Sequence, residues 1–125
     1  MRQGKITAAF NTLLRLYRTP GLRFSTSSKL YLLKRKLEPY YEAQAEKQRV
    51  ILESSGQTPT DGQYEKTPEI MKAFSDILAT EIDWTDAPEE IPITEEEAQA
   101  MGITGETLDR LDGFVTFIEA KYVEE

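Results

Sequence analysis

The feature that most constrains this chain is the recurrence of apolar residues at helical spacing, cut into separate segments by proline and glycine. Ile6, Phe10, Leu13, Leu14 and Tyr17 fall on one side of a first helix, which Thr19-Pro20-Gly21 ends. Phe24 ahead of Ser25-Thr26-Ser27-Ser28 reads as an N-cap cluster with a hydrophobic residue before it. A long helical stretch then runs to about Ser54, with Leu30, Leu33, Leu37 and Tyr41 as its stripe. Pro39 interrupts that stretch. A proline inside a helix removes one hydrogen bond and clashes with the preceding turn, at about 3 kcal/mol, so a kink or a restart is expected.

The pattern changes at Ser54. Residues 55–66 hold Ser, Gly, Gln, Thr, Pro and Asp without periodicity, and Asp61-Gly62 is a turn signal, so this is a mobile loop by composition. Thr67-Pro68 opens the next helix, with Thr as N-cap and Pro at the first helical position. Ile70, Phe74, Ile77, Leu78 and Ile82 form its stripe. From Glu81 to Ile93 the residues Ile82, Trp84, Ile91 and Ile93 favour strand, while Pro88 and Pro92 bar a central strand, which leaves short edge strands or an extended arm. Thr94-Glu95-Glu96-Glu97 is a capping-box pattern for a short helix ending at Gly102. Thr104 starts a last helix, with Leu108, Leu111, Val115, Ile118 and Tyr122 at heptad-like spacing. The expected fold class is mainly α: a helical hairpin or bundle with a kinked long helix and a small extended or edge-strand element. A chain of 125 residues fits a single domain, residues 1–125.

Composition removes several kinds of chemistry. There is no cysteine and no histidine, which excludes disulfides, Cys- or His-bearing zinc sites and triads that need either residue. No apolar run approaches the roughly 20 residues of a membrane span, and Met1 to Phe10 lacks a signal-peptide core, so the protein is expected to be made and kept in a reducing compartment. The carboxylates are the remaining candidates for catalysis. Glu95, Glu96 and Glu97 are successive, so a helix turns them away from a common point, and they suit a helix N-terminus. Asp109 and Asp112 share a helix face, yet calcium takes about six to eight oxygens and no loop here supplies the others. Gly102-Ile103-Thr104-Gly105 lacks the pattern of a phosphate cradle. No metal, no cofactor and no enzymatic activity are expected.

Charge is distributed unevenly. The net charge is -7, but Met1 to Ser55 carries +7 and Gly56 to Glu125 carries -14. Met1 to Leu37 has nine bases and no acid, and Glu81 to Gln99 has eight acids and no base. Such asymmetry means either that the basic half (1–55) and the acidic half (67–125) neutralise each other, or that one face meets a partner of opposite sign. The candidate interface residues are Arg15, Arg18, Arg23, Lys34, Arg35 and Lys36 on the basic side, and Asp83, Trp84, Asp86, Glu89 and Glu90 on the acidic side. Trp84, flanked by acids, is read either as core or as an interface anchor. Tyr17, Phe24 and Tyr31 interleave the basic residues as in a strand-binding groove, but an acidic lobe repels phosphate, so direct nucleic-acid binding is disfavoured. The same lobe could instead imitate phosphate and occupy the groove of a DNA-binding protein.

The order of elements resembles an uncharacterised family of small proteins encoded by tailed phages and prophages of Gram-positive bacteria. The matching stretches are the Ile6-to-Tyr17 opening, Leu33-Lys34-Arg35-Lys36-Leu37-Glu38 running into Tyr40-Tyr41-Glu42, Phe74-Ser75-Asp76-Ile77-Leu78-Ala79-Thr80-Glu81-Ile82-Asp83, and Leu108, Leu111, Phe114 and Phe117-Ile118. Pro39 departs from the pattern, in which that helix is uninterrupted. The resemblance implies a phage origin, a start in the bacterial host cytoplasm and genes lying among those for virion and tail proteins. It carries no activity and no site residues. The expected partners are other phage proteins or a second copy of the chain in a homo-oligomer, and a small inhibitor of a host defence nuclease is the alternative.

Overall fold

The first apolar stripe becomes helix α1 (Gln3–Leu16), which buries Ile6, Ala9, Phe10, Leu13 and Leu16. The computed structural model describes residues 1–120. After α1 come α2 (Phe24–Glu53), α3 (Pro68–Ala79), β1 (Glu89–Ile93), α4 (Glu95–Met101), α5 (Gly105–Leu111) and β2 (Val115–Glu119). The described residues are thus mainly helical, with one small two-stranded parallel sheet. No described helix is long and apolar enough to cross a membrane.

Helices α1 and α2 share the core. Leu30, Leu33 and Leu37 of α2 are fully or almost fully buried in one cluster with the α1 stripe, Ile91, Met101, Leu111 and Phe114. Phe10 stacks on Tyr41 at 4.4 Å between ring centroids, an offset-type contact that adds specificity to the area buried. A polar seam lies beside it, where Gln3 Nε2 donates to the Tyr40 carbonyl at 3.2 Å and the Thr7 hydroxyl donates to Gln44. α2 is helical throughout, with Pro39 inside it and on its exposed side. The chain does not restart there. The start of α2 also differs from expectation: Arg23 is the N-cap, no side chain caps from within the segment, and Phe24 is 86% exposed.

The 55–66 segment carries local order of its own. Asp61 and Gly62 both have positive φ (53° and 75°), and Thr60 and Gln63 exchange both backbone hydrogen bonds at 2.9 Å, which is the geometry of a tight two-residue turn. The Gln57 side chain spans the loop base, donating to the Glu65 carbonyl and accepting its N–H, each at 2.8 Å. Thr67 then caps α3 as expected, accepting from the Ile70 N–H at 3.3 Å with Pro68 in the first turn. α3 lies against α1, and a Cβ placed on Gly4 would meet the Leu78 carbonyl oxygen at 3.3 Å, so Gly4 permits that approach.

The expectation of a single last helix is corrected. α5 stops at Leu111, and Val115–Glu119 is β2, paired in parallel with β1 through Glu89↔Val115, Ile91↔Phe117 and Ile93↔Glu119. Gly113 has φ 89°, a conformation closed to most residues, which turns the chain out of the helix. Val115-Thr116-Phe117-Ile118 then gives the β-branched and aromatic sequence a strand favours, and Ile91 and Ile93 opposite supply a buried face. Spacing of 108, 111, 115 and 118 fits a heptad, yet Leu108 and Ile118 are exposed at 49% and 37%, so no single apolar stripe exists. Tyr122 lies outside the described residues. α4 follows its sequence signature closely: Thr94 and Glu97 make the capping box, and Gly102 ends the helix at φ 63°.

Candidate protein-interaction surface

Arg23 and Glu97 form the most enclosed ion pair among the described residues, with side chains 16% and 4% exposed. Arg23 donates from Nη2 and Nε to Glu97 Oε1 at 2.9 and 3.2 Å, and its backbone N–H donates to Oε2 at 3.0 Å. Nη2 also reaches the Pro92 carbonyl at 3.2 Å. Glu97 therefore serves two helix starts, closing its own capping box through the Thr94 N–H and holding the N-cap amide of α2. Burial would push this carboxyl up, but the Arg23 guanidinium and the amides of Thr94 and Arg23 outweigh it and hold the group at about 2. Arg23 is thus an internal clamp joining α2, β1 and α4, and not a free interface cation. The capping-box spacing reveals the local half of the role of Glu97; nothing in the sequence reveals its partner 74 residues away.

The other candidates divide. Lys36 lies 3.2 Å from Glu89 and 3.8 Å from Asp86, so these three join the two halves of the chain. Lys5 meets Asp112 at 3.6 Å in the same manner. Arg15 turns toward α4 and donates to the Met101 carbonyl at 3.0 Å. With Arg110, Asn11 and Thr12 it lines an open cavity of about 430 Å³. Trp84 points inward, its ring 5.8 Å from Tyr40 and 5.5 Å from Phe114, so it packs as core. Asp83 and Glu90 are exposed and, among the described residues, make no ion pair.

Arg18, Lys34 and Arg35 come together. Tyr17 at the end of α1 meets Tyr31 of α2 edge-on at 5.3 Å. Lys34 Nζ lies 5.7 and 5.1 Å above these two rings and donates to Glu38 at 2.7 Å, so it is largely buried within the cluster. Arg18 covers Tyr17 at 5.5 Å, and Arg35 lies 6.0 Å from the Tyr31 ring while donating to its hydroxyl at 3.1 Å. Aromatic faces attract cations, which fixes the guanidinium groups without neutralising them. Arg18 and Arg35 are exposed and make no ion pair among the described residues. The arrangement presents two oriented, fully charged forks suited to carboxylates. Of the three aromatics interleaved with the cations in the sequence, Tyr17 and Tyr31 form this platform, whereas Phe24 stands apart at 86% exposure; the i, i+4 spacing of Tyr31 and Arg35 was the available signal for that pairing. Among the described residues no group of three acidic side chains is placed to hold a metal ion.

Compared with protein-family models, with curated proteins and with solved structures, the chain matches none.

Proposed function

We propose that this chain is a non-enzymatic phage protein acting through protein–protein contact, as a structural or assembly component of the virion or tail. One observation carries the interaction part of this reading: Arg18 and Arg35 are held exposed on an aromatic platform, with no acid of the described residues in ion-pair contact with them and Glu38, paired to Lys34, the acid whose charge acts on Arg35. The phage setting rests on the resemblance of element order alone. The partner surface is acidic, and its carboxylates are bound by the two guanidinium groups. The bend expected at Pro39 would set the direction of the C-terminal part of α2 relative to that surface. In the cell the protein would start in the bacterial cytoplasm and pass into the particle. Mass spectrometry of purified particles should find the chain among their proteins, and its absence from both particles and assembly intermediates overturns the reading.

The exposed run Asp83, Glu90, Glu95 and Glu96 favours one alternative, a small acidic inhibitor that occupies the phosphate-binding groove of a host defence nuclease. Inhibition of such a nuclease by the purified protein, lost when these four acids become Gln or Asn, would select that alternative.

A further inference from the structure

The two strands of the sheet have different outer edges. The Glu89 N–H donates to the Phe114 carbonyl and the Ala120 N–H to the Ile93 carbonyl, both at 2.9 Å. These end bonds fix the alternation between them: Glu89, Ile91 and Ile93 turn their backbone groups toward β2, and Thr116 and Ile118 turn theirs toward β1. The outward residues are therefore Glu90 and Pro92 on β1, and Val115, Phe117 and Glu119 on β2. The edge of β1 is blocked at Pro92. Pro92 has no N–H to offer, and its carbonyl is taken by Arg23 at 3.2 Å. The edge of β2 has no such protection. It carries no proline and no glycine, and none of its outward N–H or C=O groups finds a partner among the described residues.

We infer that β2 pairs antiparallel with β2 of a second copy of this chain, about a twofold axis at Phe117. The register follows from the edge itself. With Phe117 opposite Phe117 of the second copy, Val115 faces Glu119 on each side. All three are hydrogen-bonded positions, so every outward N–H and C=O of both strands is satisfied. A shift in either direction leaves some of them unpaired. The same register sets no like charges opposite each other, since Glu119 faces Val115 and Thr116 faces Ile118. It also makes a four-stranded sheet from two pairs. The contact is small, so the dimer is weak and concentration-dependent. This inference goes beyond the charged-surface reading and does not depend on it.

The two have opposite salt signatures. Association through exposed charges weakens as salt rises, whereas two chains of net charge -7 repel, so a backbone-mediated dimer holds or tightens when that repulsion is screened. Sedimentation of the full chain should show a monomer–dimer equilibrium that survives 1 M NaCl. Glu119→Pro deletes an outward donor while leaving the ladder to β1 intact, and should raise the dimer Kd about tenfold or more. Glu119→Gln keeps the donor and should dimerise as the wild type does. Hydrogen exchange needs no variant: the Val115, Phe117 and Glu119 amides should become protected as protein concentration rises. A wild-type monomer at all concentrations, a dimer that dissolves in salt, or concentration-independent exchange at these amides overturns the inference.

Discussion

Arg23 shows how one side chain can fix the relation of three elements. Its fork fills Glu97 Oε1 while a third bond holds the Pro92 carbonyl, and the carboxylate is itself 4% exposed. Removing the guanidinium leaves the buried Glu97 carboxylate with only the backbone amides of Thr94 and residue 23, so Arg23→Ala should lower stability by about 3 kcal/mol in urea unfolding. Arg23→Lys should recover only part of this, since an ammonium cannot reproduce the fork. Glu97 also sets a pH dependence. Its folded value of about 2 lies below the ordinary 4.5, so the stability it contributes is present above pH 4.5 and is lost as pH falls toward 2. Melts across that window should fall more steeply for the wild type than for Glu97→Gln, and parallel curves would contradict the assignment. At this scale the sequence is legible only locally. Caps such as Thr67 and Thr94 are set by neighbours a few residues away and could be read directly. The Arg23–Glu97 pair, the Lys36 contacts and the inward Trp84 depend on which surfaces meet after folding.

At the level of elements, local signals and tertiary contacts disagree in two places. Pro39 breaks a helix by propensity, yet α2 passes through it because Leu33 and Leu37 before it and Tyr40, Tyr41 and Gln44 after it are held against α1 and the core. The ring therefore leaves the Arg35 carbonyl without its helical donor on an exposed side. Pro39→Ala should restore that bond and raise stability by about 1–2 kcal/mol, after allowing for the added freedom of the unfolded chain. A fall in Tm would show that the proline is built into the packing. The second conflict is the switch from α5 to β2. Heptad spacing alone continued the helix, but Gly113 and the pairing with β1 stop it. A Cβ at Gly113 meets nothing closer than Met1 Cε at 3.5 Å, so the cost of Gly113→Ala is conformational, about 1–2 kcal/mol. Periodicity could not see this because the partner strand is separated from β2 by two helices. For the 55–66 loop, limited proteolysis should cut there before α2 or α5 is touched.

For the whole molecule, the opposed charges of the two halves are partly used internally. Lys5–Asp112, Lys36–Asp86, Lys36–Glu89 and Arg23–Glu97 all cross from the basic to the acidic half. Three of these four are exposed and individually weak, so Lys36→Glu should cost only about 0.5–1 kcal/mol in thermal melts and leave association unchanged. Arg18→Glu with Arg35→Glu should do the reverse, leaving Tm close to wild type and abolishing any salt-sensitive complex. Equal effects of the two variants would mean that the halves and the partner surface are not separable. The acidic and basic blocks were plain in the sequence; their internal pairing was not, because it requires the arm before β1 to lie along α2. Trp84, the only tryptophan of the chain, sits at that meeting point between Tyr40 of α2 and Phe114 before β2. Its emission is therefore a built-in reporter of arm docking: short-wavelength while the arm is seated, fed by energy transfer from Tyr40, and red-shifted when the arm lifts even if both long helices stay folded.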